Sequence, residues 1–244
     1  MRYKIVGFVF LVCMLNQSLA QQKDINQHVQ VWISANNTFQ LNKHWQLLAD
    51  AHARKTIDNR AGQFYLLRAG ALYQFTPKIS VAAGYAHAWI APSQLGWTTF
   101  GNENRLYQQV TLSDKFMGSN LSLRFRNEQR LTELIVADKK TGTYRFVNRA
   151  RLLVNFLIPL SSNPMKPELL VANEVMLNLG KDVTYNTFDQ NRTILGIRQK
   201  INTNWSYDLA YMLIYQQKQN GLSYDLNHTL RLFFYGNFGT KISD

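Results

Sequence analysis

Arginine recurs at two-residue spacing along this chain, and carboxylates share its phase. In Asn120–Leu131, NLSLRFRNEQRL, one alternate set of positions holds Arg124, Arg126, Glu128 and Arg130. The same phase elsewhere collects Asp50, His52, Arg54, Arg68, Glu103, Arg105, Arg145, Arg149, Arg151, Glu174, Arg192, Arg198, Asp208 and Arg231. A guanidinium is a planar fork of donors that pairs bidentately with a carboxylate and keeps its charge. Two chemistries follow from such a row. Arg–Glu pairs can neutralise each other and lock neighbouring segments in register, or the surplus cations can attract an anion. Twelve arginines and one histidine face five carboxylates in the row, so the surplus is positive.

Other chemistries find less support. The histidines are His28, His44, His52, His87 and His228. His87 and His228 fall on the apolar phase, where a lipid-active Ser–His pair would sit, but no serine on that phase lies near them in sequence. No two histidines share metal-ligand spacing with a carboxylate, so no metal and no cofactor is expected. Asp138-Lys-Lys-Thr-Gly142, and Asp182 with Asp189, read as solvated outer loops. The arginines form no continuous basic run, which argues against nucleic acid as a partner.

What must position the row is a set of strands, because strict alternation is the strand period. Eleven segments alternate: 28–41, 45–56, 63–76, 79–91, 103–113, 119–133, 143–158, 168–179, 188–201, 205–218 and 225–238. Short connections at Asn42–His44, Pro77–Lys78, Asp114–Gly118, Ser161–Pro167 and Asn202–Asn204 alternate with longer ones near Ile57–Gly62, Pro92–Asn102, Leu134–Gly142, Gly180–Thr187 and Gln219–Tyr224. That is the plan of an all-β, antiparallel up-and-down transmembrane β-barrel, its apolar faces toward lipid and its polar row in the lumen. Trp45, Trp205 and Tyr207 follow short turns, while Tyr85, Trp89, Tyr211 and Phe238 lie near strand ends or on the apolar face, as interfacial girdles would. Bacterial barrels expect an even count, and eleven strands would bring two parallel strands together at closure. We therefore expect ten to twelve strands, twelve slightly favoured, with residues 21–27 able to supply one.

Composition agrees. Charged residues are 17 % of the 244, below the roughly 25 % of a soluble protein. The N-terminus reads as a signal peptide over residues 1–20. Arg2 and Lys4 precede an apolar run from Ile5 to Leu15, too short to span a bilayer as a helix, and Ser18 and Ala20 suit cleavage after Ala20. Residues 21–244 would then be one barrel domain without cysteine, since Cys13 is the single one.

Several short stretches carry a family resemblance. They are Trp32, Arg54, Arg68-Ala-Gly-Ala-Leu-Tyr73, Ala83-Gly-Tyr85, Glu103-Asn-Arg105-Leu-Tyr-Gln-Gln109, Arg124-Phe-Arg-Asn-Glu-Gln-Arg130, Asn148-Arg-Ala-Arg151, Asn173-Glu174 and Gln190-Asn-Arg192. Together they resemble the DUF2490 family of outer-membrane proteins, common in Bacteroidota, over nearly all of the mature chain. The resemblance implies a barrel in the outer membrane of a Gram-negative cell. The family's function is uncharacterised, so no activity or catalytic residue carries over. The expected role is a structural or narrow anion-preferring channel protein with an Arg/Glu-filled lumen. A lipid-active or ligand-binding barrel is the alternative. The expected partners are membrane lipids and a small anionic solute, with the chain a monomer.

Overall fold

The computed structural model describes residues 23–57, 63–92, 94 and 96–239; the expected signal peptide lies outside them. Among the described residues eleven strands close into one barrel and there is no helix. They are β1 Asp24–Gln40, β2 Trp45–Thr56, β3 Gln63–Thr76, β4 Ile79–Ile90, β5 Gly101–Phe116, β6 Ser119–Val136, β7 Lys139–Pro159, β8 Glu168–Leu179, β9 Phe188–Lys200, β10 Trp205–Gln217 and β11 Ser223–Phe238. Each strand pairs antiparallel with its sequence neighbours.

Closure is the exception to the antiparallel plan. β1 and β11 run parallel, in unbroken register from Asp24↔Ser223 to Phe39↔Phe238. The eleven strands lie within the expected ten to twelve, one short of the slightly favoured twelve. Asp24–Gln27 lengthen β1 itself and supply no extra strand. The seam ends on stacked rings, with Phe39 and Phe238 centroids 5.2 Å apart.

Two connections are tighter than the sequence suggests. The β5–β6 turn is Met117–Gly118, and the β6–β7 turn, expected as a long loop, is Ala137–Asp138. All four residues have positive φ, the backbone that two-residue hairpins require. Ala and Asp are costlier there than Gly or Asn, so the sequence around 137–138 carries little turn signal.

The side chains are distributed inside out. Outward positions carry Val29, Ile33, Leu47, Leu67, Leu106, Phe125, Leu152, Leu195 and Leu230, all exposed. Inward positions carry the charges: Glu103, Arg105, Arg126, Glu128, Arg149, Glu174, Arg192 and Asp208 are buried. A small inner core of Trp32, Leu170, Ala172, Ile194, Ala210, Met212 and Ile214 packs beside them. On the facing wall, Gly70 and Gly84 are register partners whose missing Cβ atoms leave room for the Tyr107 ring.

Candidate functional site

The lumen is built from cross-strand pairs. Strand register sets Asp50 opposite Arg68, Glu128 opposite Arg149, Glu174 opposite Arg192 and Asp208 opposite Arg198. Directly opposed opposite charges are favourable neighbours in a sheet, and here each pair also bonds. Arg68 Nε donates to Asp50 at 2.5 Å. Arg149 reaches Glu128 at 2.5 Å, and Arg151 reaches it at 2.6 Å. Glu174 accepts from Arg124 and Arg151, each at 2.7 Å, and from Arg192 at 3.3 Å. Asp208 gathers Arg198 at 2.6 Å, Arg231 at 3.1 Å and the Tyr235 hydroxyl at 2.8 Å. Glu103 is held by Arg105, two residues along its own strand, at 2.5 Å and diagonally across β5–β6 by Arg130 at 2.7 Å. Arg126 donates to Gln109 and lies 3.6 Å from Glu128. Arg145 stands apart near the long-loop rim, donating to the Asp182 carbonyl.

Alternation cannot reveal everything that joins this network. Asp189, expected in a solvated loop, is buried and lies 3.2 Å from Arg149. The β8–β9 ladder shifts register between Met176 and Leu177, which breaks the phase that would have placed it. Gln109 and Gln190 act as inner acceptors for Arg126 and Arg192. Aromatic faces complete the lining. Arg54 lies 3.8 Å over Trp32 and 4.4 Å over Phe64, Arg192 4.9 Å over Trp32, and Arg126 4.8 Å over Tyr107. Trp32 and Tyr107 read as family positions in sequence; their lumenal role needs the strand phase.

The interior is divided. A central cavity of about 350 Å³ has nine arginines in its lining, Arg54, Arg68, Arg105, Arg124, Arg126, Arg151, Arg192, Arg198 and Arg231, against the single carboxylate Glu174. It shares Ser122, Asn155 and Arg198 with a further cavity at the rim of the short turns. Toward the opposite rim lies a separate cavity of about 330 Å³, walled in part by Glu103, Arg130, Arg145, Asn178 and Asp189. No residue lines both this cavity and the central one. Along five consecutive strands one inward residue stands between them: Glu128, Arg149, Met176, Gln190 and Ile214, each at most 5 % exposed. On these five strands the layer forms a septum between the two cavities.

The histidines do not assemble a catalytic pair. His87 Nδ1 lies 2.8 Å from Asn104, and His228 Nδ1 lies 2.7 Å from the Tyr211 hydroxyl, both on the outer wall. His52 faces inward, edge-on to Phe233 at 5.7 Å, and its Nδ1 has no hydrogen-bond partner. Ser34 stands opposite His52 in register, but its hydroxyl accepts from Asn36 at 2.9 Å. Among the described residues, no serine bonds to these three histidines, and no three His, Cys, Asp or Glu side chains converge as a metal site would require.

A family model described as a protein of unknown function, DUF2490, matches residues 29–225. No curated protein and no solved structure matches the chain.

Proposed function

This chain belongs to the DUF2490 family, and from that footing we propose an outer-membrane β-barrel, closed across its middle, that takes small anions into the basic chamber on its short-turn side. The inside-out distribution of side chains carries the reading. A contiguous apolar patch on a soluble monomer rarely exceeds a few hundred Å². Here the apolar band runs around the whole wall, from Val29 and Ile33 through Leu106 and Leu152 to Leu230. Lipid is the covering that suits such a wall, and strand closure satisfies the backbone as hydrocarbon demands. Strands of 12 to 21 residues exceed the roughly ten that cross the apolar core.

Two pairs of outward amides satisfy each other. Gln108 and Gln129 exchange amide hydrogen bonds at 3.2 and 3.0 Å, and Asn173 and Asn191 do the same at 3.1 and 3.0 Å. Short turns face the periplasm in outer-membrane barrels, which would open the chamber to that side. The septum supports a closed resting lumen, and the arginine lining supports anions as its guests.

The membrane half of the reading is tested by refolding residues 21–244 into vesicles containing bromine-labelled lipid. Trp45, Trp89 and Trp205 lie on the outward phase and Trp32 on the inward phase. The expected result is quenching of the outward tryptophans and none of Trp32, each read in a variant holding that tryptophan alone. A chain that stays monomeric and folded in buffer without lipid or detergent would overturn it.

A further inference from the structure

Arg54 differs from the other arginines of the central chamber. Arg68, Arg105, Arg124, Arg126, Arg151, Arg192, Arg198 and Arg231 each bond or pair with an acceptor side chain. Among the described residues Arg54 has no ion pair and no hydrogen bond, and its Nε is buried without a partner. What holds it is the pair of aromatic faces, Trp32 at 3.8 Å and Phe64 at 4.4 Å. Stacking fixes a guanidinium's plane and leaves its N–H edge free to donate. The same two rings bring further cations close: Arg192 lies over Trp32 at 4.9 Å and Arg105 over Phe64 at 5.5 Å. His52, two residues from Arg54 on the same face, adds a second buried nitrogen without a partner.

We propose that Arg54, with Arg105 and Arg192, forms a binding subsite for a phosphate dianion, either inorganic phosphate or a small phosphate monoester. The inference rests on the reading of the chamber as an anion site and names the anion's class. The three guanidinium groups come from three different strands, β2, β5 and β9, and are grouped by the two rings they share. A carboxylate takes several guanidinium groups here, but its acceptor sites lie in one plane. A tetrahedral phosphate also presents oxygens out of any one plane and so suits donors brought by several strands. More than one local positive charge favours a dianion over a monoanion. The cavity of about 350 Å³ leaves room for a small organic substituent on the phosphate.

Titration calorimetry on the refolded barrel in detergent at low salt tests this, with inorganic phosphate, glycerol phosphate, succinate and chloride as separate probes. Both phosphate probes should bind more tightly than succinate or chloride. A preference for glycerol phosphate over inorganic phosphate would identify the monoester as the better guest, and the reverse would identify free phosphate. Arg54→Gln should weaken phosphate by about tenfold or more, the loss of one charge-assisted hydrogen bond. Arg145→Gln removes the same charge from the other cavity and should cost less than about threefold, as a remote screened charge does. Equal losses in the two variants, or succinate binding as well as phosphate, would overturn the subsite while leaving a general anion chamber standing. No anion binding at all in the folded wild type would overturn both. Should Arg54→Gln fail to fold, the wild type still decides. Affinity for glycerol phosphate should rise as the pH passes the second phosphate pKa, about 6 for a monoester, and a flat profile from pH 5 to 8 would exclude a dianion site.

Discussion

At the scale of single residues, stability is concentrated in a few carboxylates that each serve several arginines. Glu128 holds Arg149 and Arg151 and stands near Arg126; Glu174 holds Arg124, Arg151 and Arg192. Removing one partner of a buried pair strands the other, at a cost of about 3–5 kcal/mol. Glu128→Ala and Glu174→Ala are therefore expected to lower the urea midpoint of the refolded barrel. They should also abolish its heat-resistant mobility on unboiled gels; mobility like wild type in both variants would count against the network as a brace. On the outer wall the logic is that of reciprocal amides. Asn173→Leu leaves Asn191 without its partner and should destabilise by about 1–3 kcal/mol. Adding Asn191→Leu should recover most of that loss, and an additive double mutant would show that the two amides do not depend on each other. Alternation alone made the inward arginines and most of their carboxylates legible in sequence, Asp189 being the exception. It could not say which pair with which, because pairing depends on register between strands, nor that Arg54 is held by rings and not by a carboxylate.

Among the elements, the β6–β7 hairpin stands out. Its strands are the longest, and its turn is only Ala137–Asp138. Asp138 also ties down the β4–β5 connection. Its carboxylate accepts from the Thr99 amide at 2.8 Å and the Thr98 amide at 3.0 Å, while the Thr99 hydroxyl donates to its carbonyl at 2.6 Å. The Thr99 amide foremost, and then the Thr98 amide, hold the Asp138 carboxyl below its ordinary value of 3.8. A carboxylate with a lowered pKa contributes stability in full above that ordinary value and loses it as pH falls through the folded pKa. Amide exchange at Thr98 and Thr99 should thus be slow near neutral pH and quicken on strong acidification. Asp138→Asn, uncharged throughout, should remove that pH dependence; an unchanged acid response in the variant would place its cause elsewhere. The two strands are legible in sequence but the tightness of their turn is not, because Asp138-Lys-Lys-Thr-Gly142 has the composition of a loop, and positive φ at Ala137 has no sequence signature.

The molecule as a whole is a closed wall around a divided interior. Strand order, the two faces and the outer apolar band followed from the period of two in the sequence. The closure did not. An even count is the rule for bacterial barrels, yet here β1 and β11 meet in parallel along their length, a contact that links the two ends of the chain and leaves no local trace. The division of the lumen was equally invisible, because Met176 and Ile214 read as ordinary apolar positions until register sets them level with Glu128, Arg149 and Gln190. Met176, Gln190 and Ile214 are the septum's uncharged members, so replacing the first two by alanine should open it without disturbing an ion pair. The most direct test of a closed, anion-favouring barrel is current across a planar bilayer holding refolded residues 21–244 under a salt gradient. The wild type should insert and stay silent, and the openings of a Met176→Ala, Gln190→Ala variant should reverse toward the anion potential. Steady openings by the wild type, or a variant that prefers cations, would contradict it.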